Sequence, residues 1–506
     1  MRVPHIVLLA LLLVGSALCT CSDLGPADVS DLNMVVALSI DGLNKLCMGS
    51  IPVLEAQVQD MKFDDIETDL DLIVTEVDLF ITDMEMTQLR MGSFTASTDA
   101  DKGLIGFYLG ESDMTMSFSW KYEEQGFPFI KDHGTGRASV SGLSGSMSTT
   151  VGVDPECGQA QFYFEAFSFD IGKIVIDLDG GASALYDLVL NTFISLMEDL
   201  FADELSDMLG ESIEAAINDG LASAGTETDM AYDLGFDTRP VPPGMSVMDS
   251  YIGIRNTGYM FPRSVGNGWE ARTKPAPLPD IVNNADVQII CSNNVWNTGF
   301  SAANYNGVLG GVISPETVSS SMYDSYLTTS VLASICPEVY DAFPSSSISL
   351  SLSASIDPTL TFMPSAGFLN ITGTVDVSVN SDPASDVYDT EVFELGVSFG
   401  LAMTPRVWTE DHSWGNSTHI SYTASMYNST SWEVSSGYGP VAVDGPQAFQ
   451  LVSMLGALGI APWVTQFTDG VAPYFAIEGD FLEYGKAQVF FQGATTVVAT
   501  LPLRDY

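Results

Sequence analysis

The sequence predicts an α+β protein made of two similar halves, each a strongly bent antiparallel sheet closed by a long helix. Three observations carry this expectation. Long runs alternate apolar and polar residues and then slip in phase, as strands of a curved sheet do. One segment, residues 183–217, repeats apolar residues at helical spacing over a length rare in globular proteins. After a Pro-rich connector the same order of elements returns.

Taken in order, SDLNMVVALSIDGLNKL (30–46) opens with a Ser/Asp cap and carries Val35, Leu38 and Leu46 at helical spacing, so a helix is expected there. In IETDLDLIVTEVDLFITDMEM, Leu70, Leu72 and Val74 share a face. The phase then slips, and Val77, Leu79 and Ile81 carry the apolar side, which predicts a bulge. GQAQFYFEAFSFDIGKIVIDLDGG slips twice, from Phe162 and Phe164 to Phe167, Phe169 and Ile171, then to Ile174, Ile176 and Leu178. Repeated slips in long strands predict a half-closed sheet.

The long helix follows. Leu185, Val189, Phe193, Leu196, Leu200, Leu205, Met208, Ile213 and Ile217 form one stripe, while Asp187, Glu198, Asp203 and Glu211 take other angles. Gly220 and Gly225 are stop signals. At 1.5 Å per residue the helix would run about 50 Å, enough to lie along a curved sheet and close its open side. Solid core and cavity wall use the same residue types, so the stripe alone does not separate them.

PRSVGNGWEARTKPAPLPDI (262–281) breaks the pattern, with Pro275, Pro277 and Pro279 favouring a stiff connector. It divides a first unit, 20–261, from a second, 282–506. In the second, ADVQIICSN reads as a strand and MYDSYLTTSVLASICPEVYDAFP as a helix ending near Pro337. Ile348, Leu350, Leu352, Ala354 and Ile356 then alternate on one face, as do Phe393, Leu395, Val397, Phe399 and Leu401. A second closing helix has Asp444 near its cap, Pro446 in its first turn, Leu451, Leu455 and Leu458 on its apolar face and a kink at Pro462. AQVFFQGATTVV is the final strand.

Composition narrows the function. Apolar residues make up 46% of 506, which excludes a disordered polyelectrolyte. With 17 Lys+Arg against 65 Asp+Glu, the formal charge of −48 repels nucleic acid and anionic membranes. MRVPHIVLLALLLVGSALCTCSD reads as a signal peptide over residues 1–19, cleaved near Cys19/Thr20 or Ala17/Leu18. A secreted protein is therefore expected, with Asn370, Asn416 and Asn428 as glycosylation acceptors. Disulfide candidates within each half are Cys47–Cys157 and Cys291–Cys336, with Cys21 left over. Catalytic and metal signatures are weak. GLSGS (142–146) lacks the last glycine of a nucleophile elbow, His412, His419 and Asp411 read as a solvated loop, and Asp99 and Asp101 read as surface carboxylates. No catalytic residue, metal or cofactor is assigned.

The chain resembles the group of bactericidal/permeability-increasing protein, lipopolysaccharide-binding protein and the cholesteryl-ester and phospholipid transfer proteins. The likeness rests on ICPEVYDAFPSSSISLSLSASIDPTLTFMPSAGF, on DVQIICSNNVWNTGFSAANYNGVLGGVI, on KPAPLPDI at the interdomain linker and on IGIRNTGYM as a central-sheet strand before it. It implies a boomerang of two pseudo-symmetric half-barrels joined by a central β-sheet, each with an apolar tunnel holding phospholipid acyl chains. The stripe over 183–217, with Leu451, Leu455 and Leu458 in the second half, would then be tunnel wall.

Two departures stand out. Antibacterial members carry clustered cations at the tip of the first barrel, where SFTASTDADKG here is acidic. The family disulfide joins a strand to the first long helix; Cys157 matches the strand partner, but residues 199–209 hold no cysteine. The expectation is a secreted monomer that binds phospholipid-type lipids, touches membranes or lipid particles transiently, and in the stronger form of this reading transfers lipids. Alternatives are an innate-defence binder of bacterial lipopolysaccharide and a cargo-free secreted scaffold or adhesion protein.

Overall fold

The computed structural model describes residues 32–58, 62–72, 75–124, 131–153, 160–179, 194, 218, 227–266, 268–269, 278, 285–317, 326–363, 366–381, 387–412, 415–472, 474–478, 488–492 and 496–503. The signal peptide, Cys157 and the helix stripe Leu185, Val189, Phe193, Leu196, Leu200, Leu205 and Met208 lie outside these residues, and so do the side chains of Asn416 and Leu458.

In the first half, β1 (Met34–Ser39) runs into α1 (Ile40–Val58). Then come β2 (Ile66–Leu72), β3 (Thr75–Arg90), β4 (Ser93–Asp99), β5 (Leu104–Glu124), β6 (Lys131–Val153), β7 (Ala160–Asp170) and β8 (Lys173–Asp179). Short strands follow: β9 (Glu227–Met230), β10 (Leu234–Asp237), β11 (Pro240–Val247), β12 (Tyr251–Asn256) and β13 (Tyr259–Pro262). The second half opens with β14 (Val287–Ser292), α2 (Asn293–Tyr305), β15 (Gly310–Ile313), α3 (Thr329–Leu332) and α4 (Pro337–Ala342). Its sheet strands are β16 (Ile348–Ala354), β17 (Thr359–Met363), β18 (Ala366–Val379), β19 (Thr390–His412) and β20 (Gly415–Ser436). The chain continues through α5 (Pro446–Leu455), a π turn over Gly456–Ile460, α6 (Ala461–Gly470), β21 (Tyr474–Glu478), β22 (Gln488–Gln492) and β23 (Thr496–Leu501).

The described strands form two large antiparallel sheets. The first has the order β2-β3-β5-β6-β7, with β4 beside β5 and β8 beside β6; the second runs β15-β16-β18-β19-β20-β21, with β17 beside β18. A central sheet, β11-β12-β1-β14-β23-β22, draws strands from both ends of the chain, and β13-β10-β9 form a small third unit. The fold is the expected pair of half-barrels about a central sheet.

Several local expectations are corrected. The helix expected over 30–46 starts only at Ile40, because Met34–Ser39 pair with β12 on one side and β14 on the other, and sheet pairing overrides the helical spacing. Ser39 caps the helix, its hydroxyl accepting from Gly42 N at 2.9 Å. The slip after Val74 marks the junction of two paired strands, β2 and β3, rather than a bulge; true irregularities come later, at Thr82/Glu85 and Met86/Gln88. On β7 one slip is a bulge opposite Ser148/Thr149, and the next is the break between β7 and β8. Pro337 begins α4 instead of ending a helix, as proline at a first turn lacks only a hydrogen that would go unused. Ile356 lies beyond β16 and is exposed. The expected last strand is two strands, β22 and β23.

The kink near Pro462 takes the form of the π turn just before it, since the proline supplies no N–H to the ladder.

The disulfide expectations also change. Cys47 on α1 and Cys291 on β14 are buried thiols, so neither the Cys47–Cys157 nor the Cys291–Cys336 bridge is formed. Cys47 on α1, Cys291 on β14 and Cys336, just before α4, are all buried in the apolar core. Burial pushes the Cys47 and Cys291 thiols up to about 12, which keeps them protonated and unreactive at neutral pH.

Candidate functional site

Strand alternation gives each large sheet an apolar inner face. On the first, Val77, Leu79 and Ile81 of β3 meet Trp120 and Tyr122 of β5, and Ala138 and Val140 of β6. Four methionines, Met84, Met86, Met114 and Met116, cover the middle, each at most 2% exposed. Trp120 and Tyr122 stack at 5.9 Å and 11°. The Trp120 indole donates to Thr135 O at 3.1 Å, so its polar edge is satisfied.

Two described residues report on the segment with the expected long helix. Ile194 packs against this methionine-rich face. At the far end, Asn218 exchanges two bonds with the backbone of Phe162 on β7, Phe162 N donating to Oδ1 at 2.8 Å and Nδ2 donating to Phe162 O at 2.9 Å. The carboxamide thus pairs with the sheet's edge strand as another strand would.

The inner face of the second sheet is built from Val375, Val377, Phe393, Leu395, Val397, Phe399, Leu401 and Met403, all at most 2% exposed. Leu451 and Leu455 of α5 and Val464 and Phe467 of α6 are buried in the same core. The helix also seals an edge. Tyr422 N donates to Thr468 Oγ1 at 3.2 Å and Ala424 N to Thr465 Oγ1 at 2.9 Å, where no described strand continues beside β20. Threonine hydroxyls on α6 therefore take the bonds that a neighbouring strand would have made.

One element that sequence reasoning missed, α2, packs between β13 of the small sheet and β17 of the second large sheet. Ser292 caps α2, accepting from Asn294 N, and Val295, Trp296 and Phe300 are buried. Asn297 bonds Leu360 through both backbone N and O. The cap followed by Trp296, Phe300 and Ala303 at spacings of four and three was the signal available. On the first sheet, the alternation Met114, Met116, Phe118, Trp120 was equally legible.

Two grooves bounded by described residues open on the outside of the first sheet. One of about 630 Å³ lies between the end of α1 and β3, with Glu55, Gln88, Arg90 and Arg137 on its walls. Another, of about 780 Å³, is lined by Phe80, Thr82, Lys121, His133 and Asp179. Beside it Lys121 and Lys131 both pair with Glu123, and their hydrogen bonds and charge bring its carboxyl down to about 2.

These cations change the picture of the first barrel's ends. The acidic stretch SFTASTDADKG forms β4 and the turn to β5, where Thr98 bonds Asp249 O beside the central-sheet strands β11 and β12, so it is not the barrel's tip. Lys121, Lys131 and His133 instead lie on strands near the opposite end.

Other weighed residues are placed as follows. Asp99 pairs with Lys102 in the β4–β5 turn, and the Lys102 ammonium lowers its pKa. The expected solvated loop at His412 and His419 is a strand pair, and His419 is buried with its ring stacked 4.0 Å from Trp408. Ser144 lies within β6. Among the described residues no group of three or more His, Cys, Asp or Glu gathers to hold a metal, and no helix is long and apolar enough to cross a membrane.

Comparison with known proteins follows the same architecture. The family model described as LBP / BPI / CETP family, N-terminal domain, matches residues 42–218, and that of the C-terminal domain of the same family matches residues 251–411. No curated protein matches in a sequence search. Among solved structures, a lipopolysaccharide binding protein aligns with a TM-score of 0.58 at 15% identity, covering 94% of this chain and 99% of its own. Takeout 1 of Epiphyas postvittana (TM-score 0.22, 10% identity, 39% of this chain and 90% of its own) and P47 of Clostridium botulinum A2 (0.26, 10%, 94% and 99%) match too loosely to carry an argument. The chain belongs to the LBP / BPI / CETP family.

Proposed function

We propose that this chain is a secreted lipid-binding protein that holds acyl chains of phospholipid-type lipids against the apolar inner face of each half-barrel. The observation that carries this reading is the pair of apolar inner faces, buried along their length, in a chain that matches the family in both halves. Each methylene withdrawn from water contributes about 0.8 kcal/mol, so two acyl chains would be held firmly without any catalytic group. A formal charge of −48 favours a modestly charged lipid over a heavily phosphorylated lipopolysaccharide. Such a carrier needs no cofactor, works as a monomer and touches membranes or lipid particles only to load and unload. Transfer between those surfaces is the extension of the same reading.

Native mass spectrometry followed by solvent extraction tests this on protein purified from its own source without detergent. Co-purified two-chain lipid is expected. A folded, monodisperse protein that yields no lipid and takes up none from vesicles of neutral phospholipid would overturn it.

A further inference from the structure

We propose that Asn370 and Asn428 carry neighbouring N-linked glycans that cover the outer face of the second half-barrel, with Phe368 and Tyr427 as an aromatic shelf beneath the first sugars. Strand phase decides whether a sequon in a sheet can bear a glycan. On β18, Leu369 and Ile371 are in the core, so Asn370 between them points outward and is exposed. Asn428 is exposed on β20, and both residues pair with Gly400 of β19 between them. The two asparagines therefore share one rung, about 10 Å apart across three strands.

The middle of that rung is left open by sequence. A Cβ on Gly400 would lie 2.0 Å from Asn428 Oδ1, so the glycine lets this side chain lie across the rung in the rotamer it takes. The amide nitrogen, which is the atom that accepts sugar, stands further off at 3.6 Å.

Aromatic rings flank both acceptors on a face that otherwise carries hydroxyls such as Thr372, Thr374, Ser398 and Thr430. Phe368 lies two residues before Asn370 on the same side and meets Tyr427 edge to face at 5.3 Å. A register slip between Gly400 and Leu401 leaves Tyr427 as the extra residue beside Asn428, and it is 67% exposed. Trp432 lies over Gly396 on the same face and is 43% exposed. Rings this open have no protein cover among the described residues. The C–H face of a pyranose, set against the electron-rich face of a ring, is a fitting one.

The donor class is a lipid-linked oligosaccharyl diphosphate. The asparagine Nδ2 bonds to the anomeric carbon, the glycosyl C–O bond breaks, the lipid diphosphate leaves with the bonding pair, and one amide proton passes to the transferase's base. Transfer must precede strand pairing, because both acceptors end in mid-strand; the outward phase is what lets the folded barrel keep the sugars.

The test is peptide mapping of the full chain secreted from eukaryotic cells, after enzymatic glycan release in isotope-labelled water, which marks each formerly occupied asparagine as labelled aspartate. Label at both Asn370 and Asn428 is expected. Label at neither, or at one alone, overturns the paired assignment. On folded protein, Tyr427→Ser should speed release from Asn428 several-fold while leaving the rate after denaturation unchanged; equal rates on folded protein overturn the shelf. Neither readout depends on bound lipid, so each fails independently of the carrier reading.

Discussion

The first half-barrel lines its inner face with methionine where the second uses phenylalanine, valine and leucine. Met84, Met86, Met114 and Met116 sit at the centre of the first sheet, and Val375, Val377, Phe393, Val397 and Phe399 occupy the same kind of position in the second. Methionine is unbranched and refills irregular space with small loss, while β-branched and aromatic side chains hold few rotamers. Two sheets of one architecture thus differ in compliance. The first face can adapt its shape, while the second holds a more fixed one beside α5 and α6.

The largest test of this contrast is Phe399→Ala, which removes a fully buried ring from the rigid face. A loss of about 3–5 kcal/mol is expected in denaturant unfolding; a loss below about 1 kcal/mol would mean the second barrel is as compliant as the first. Next is Thr468→Val, which deletes the hydroxyl that accepts from Tyr422 N at the sheet edge. Its expected cost is about 1–3 kcal/mol, read in the same way, with faster amide exchange at Tyr422 as the local signature.

Smaller still is Met116→Leu in the first barrel, which conserves volume and should cost less than about 1.5 kcal/mol. Its consequence is expected instead in cargo, as a narrower range of co-purified acyl lengths; an unchanged range would separate compliance from lipid choice.

The smallest effect is electrostatic. Glu123 is held to about 2 by Lys121 and Lys131, below its ordinary 4.5. A depressed carboxylate stabilises the fold above the unfolded value and loses that contribution as pH falls from there through about 2. At the surface the loss is slight, and Lys121→Gln with Lys131→Gln should flatten it in acid titrations of stability.

How much of this was legible in sequence depended on whether a feature was local. Alternation in Phe393, Leu395, Val397, Phe399 and Leu401 reads directly as an inner face, because strand period alone sets it. Met34–Ser39 misread as helix, because pairing with β12 and β14 joins residues far apart in sequence. Pro337 was ambiguous for a different reason: the residue that ends one helix can begin another. The cysteines misled because lying within the same half says nothing about distance in space. The tip was misplaced because its position depends on which strand ends lie next to the central sheet, as the Thr98–Asp249 bond shows.

The most direct measurement is photo-crosslinking with a phospholipid that carries a photoreactive group at its acyl terminus, mapped by peptide sequencing. The account expects adducts on inward residues such as Met114, Met116 and Leu455, reduced by excess unlabelled phospholipid. Adducts confined to the outer grooves, around Thr82, Lys121 and Arg90, would contradict it.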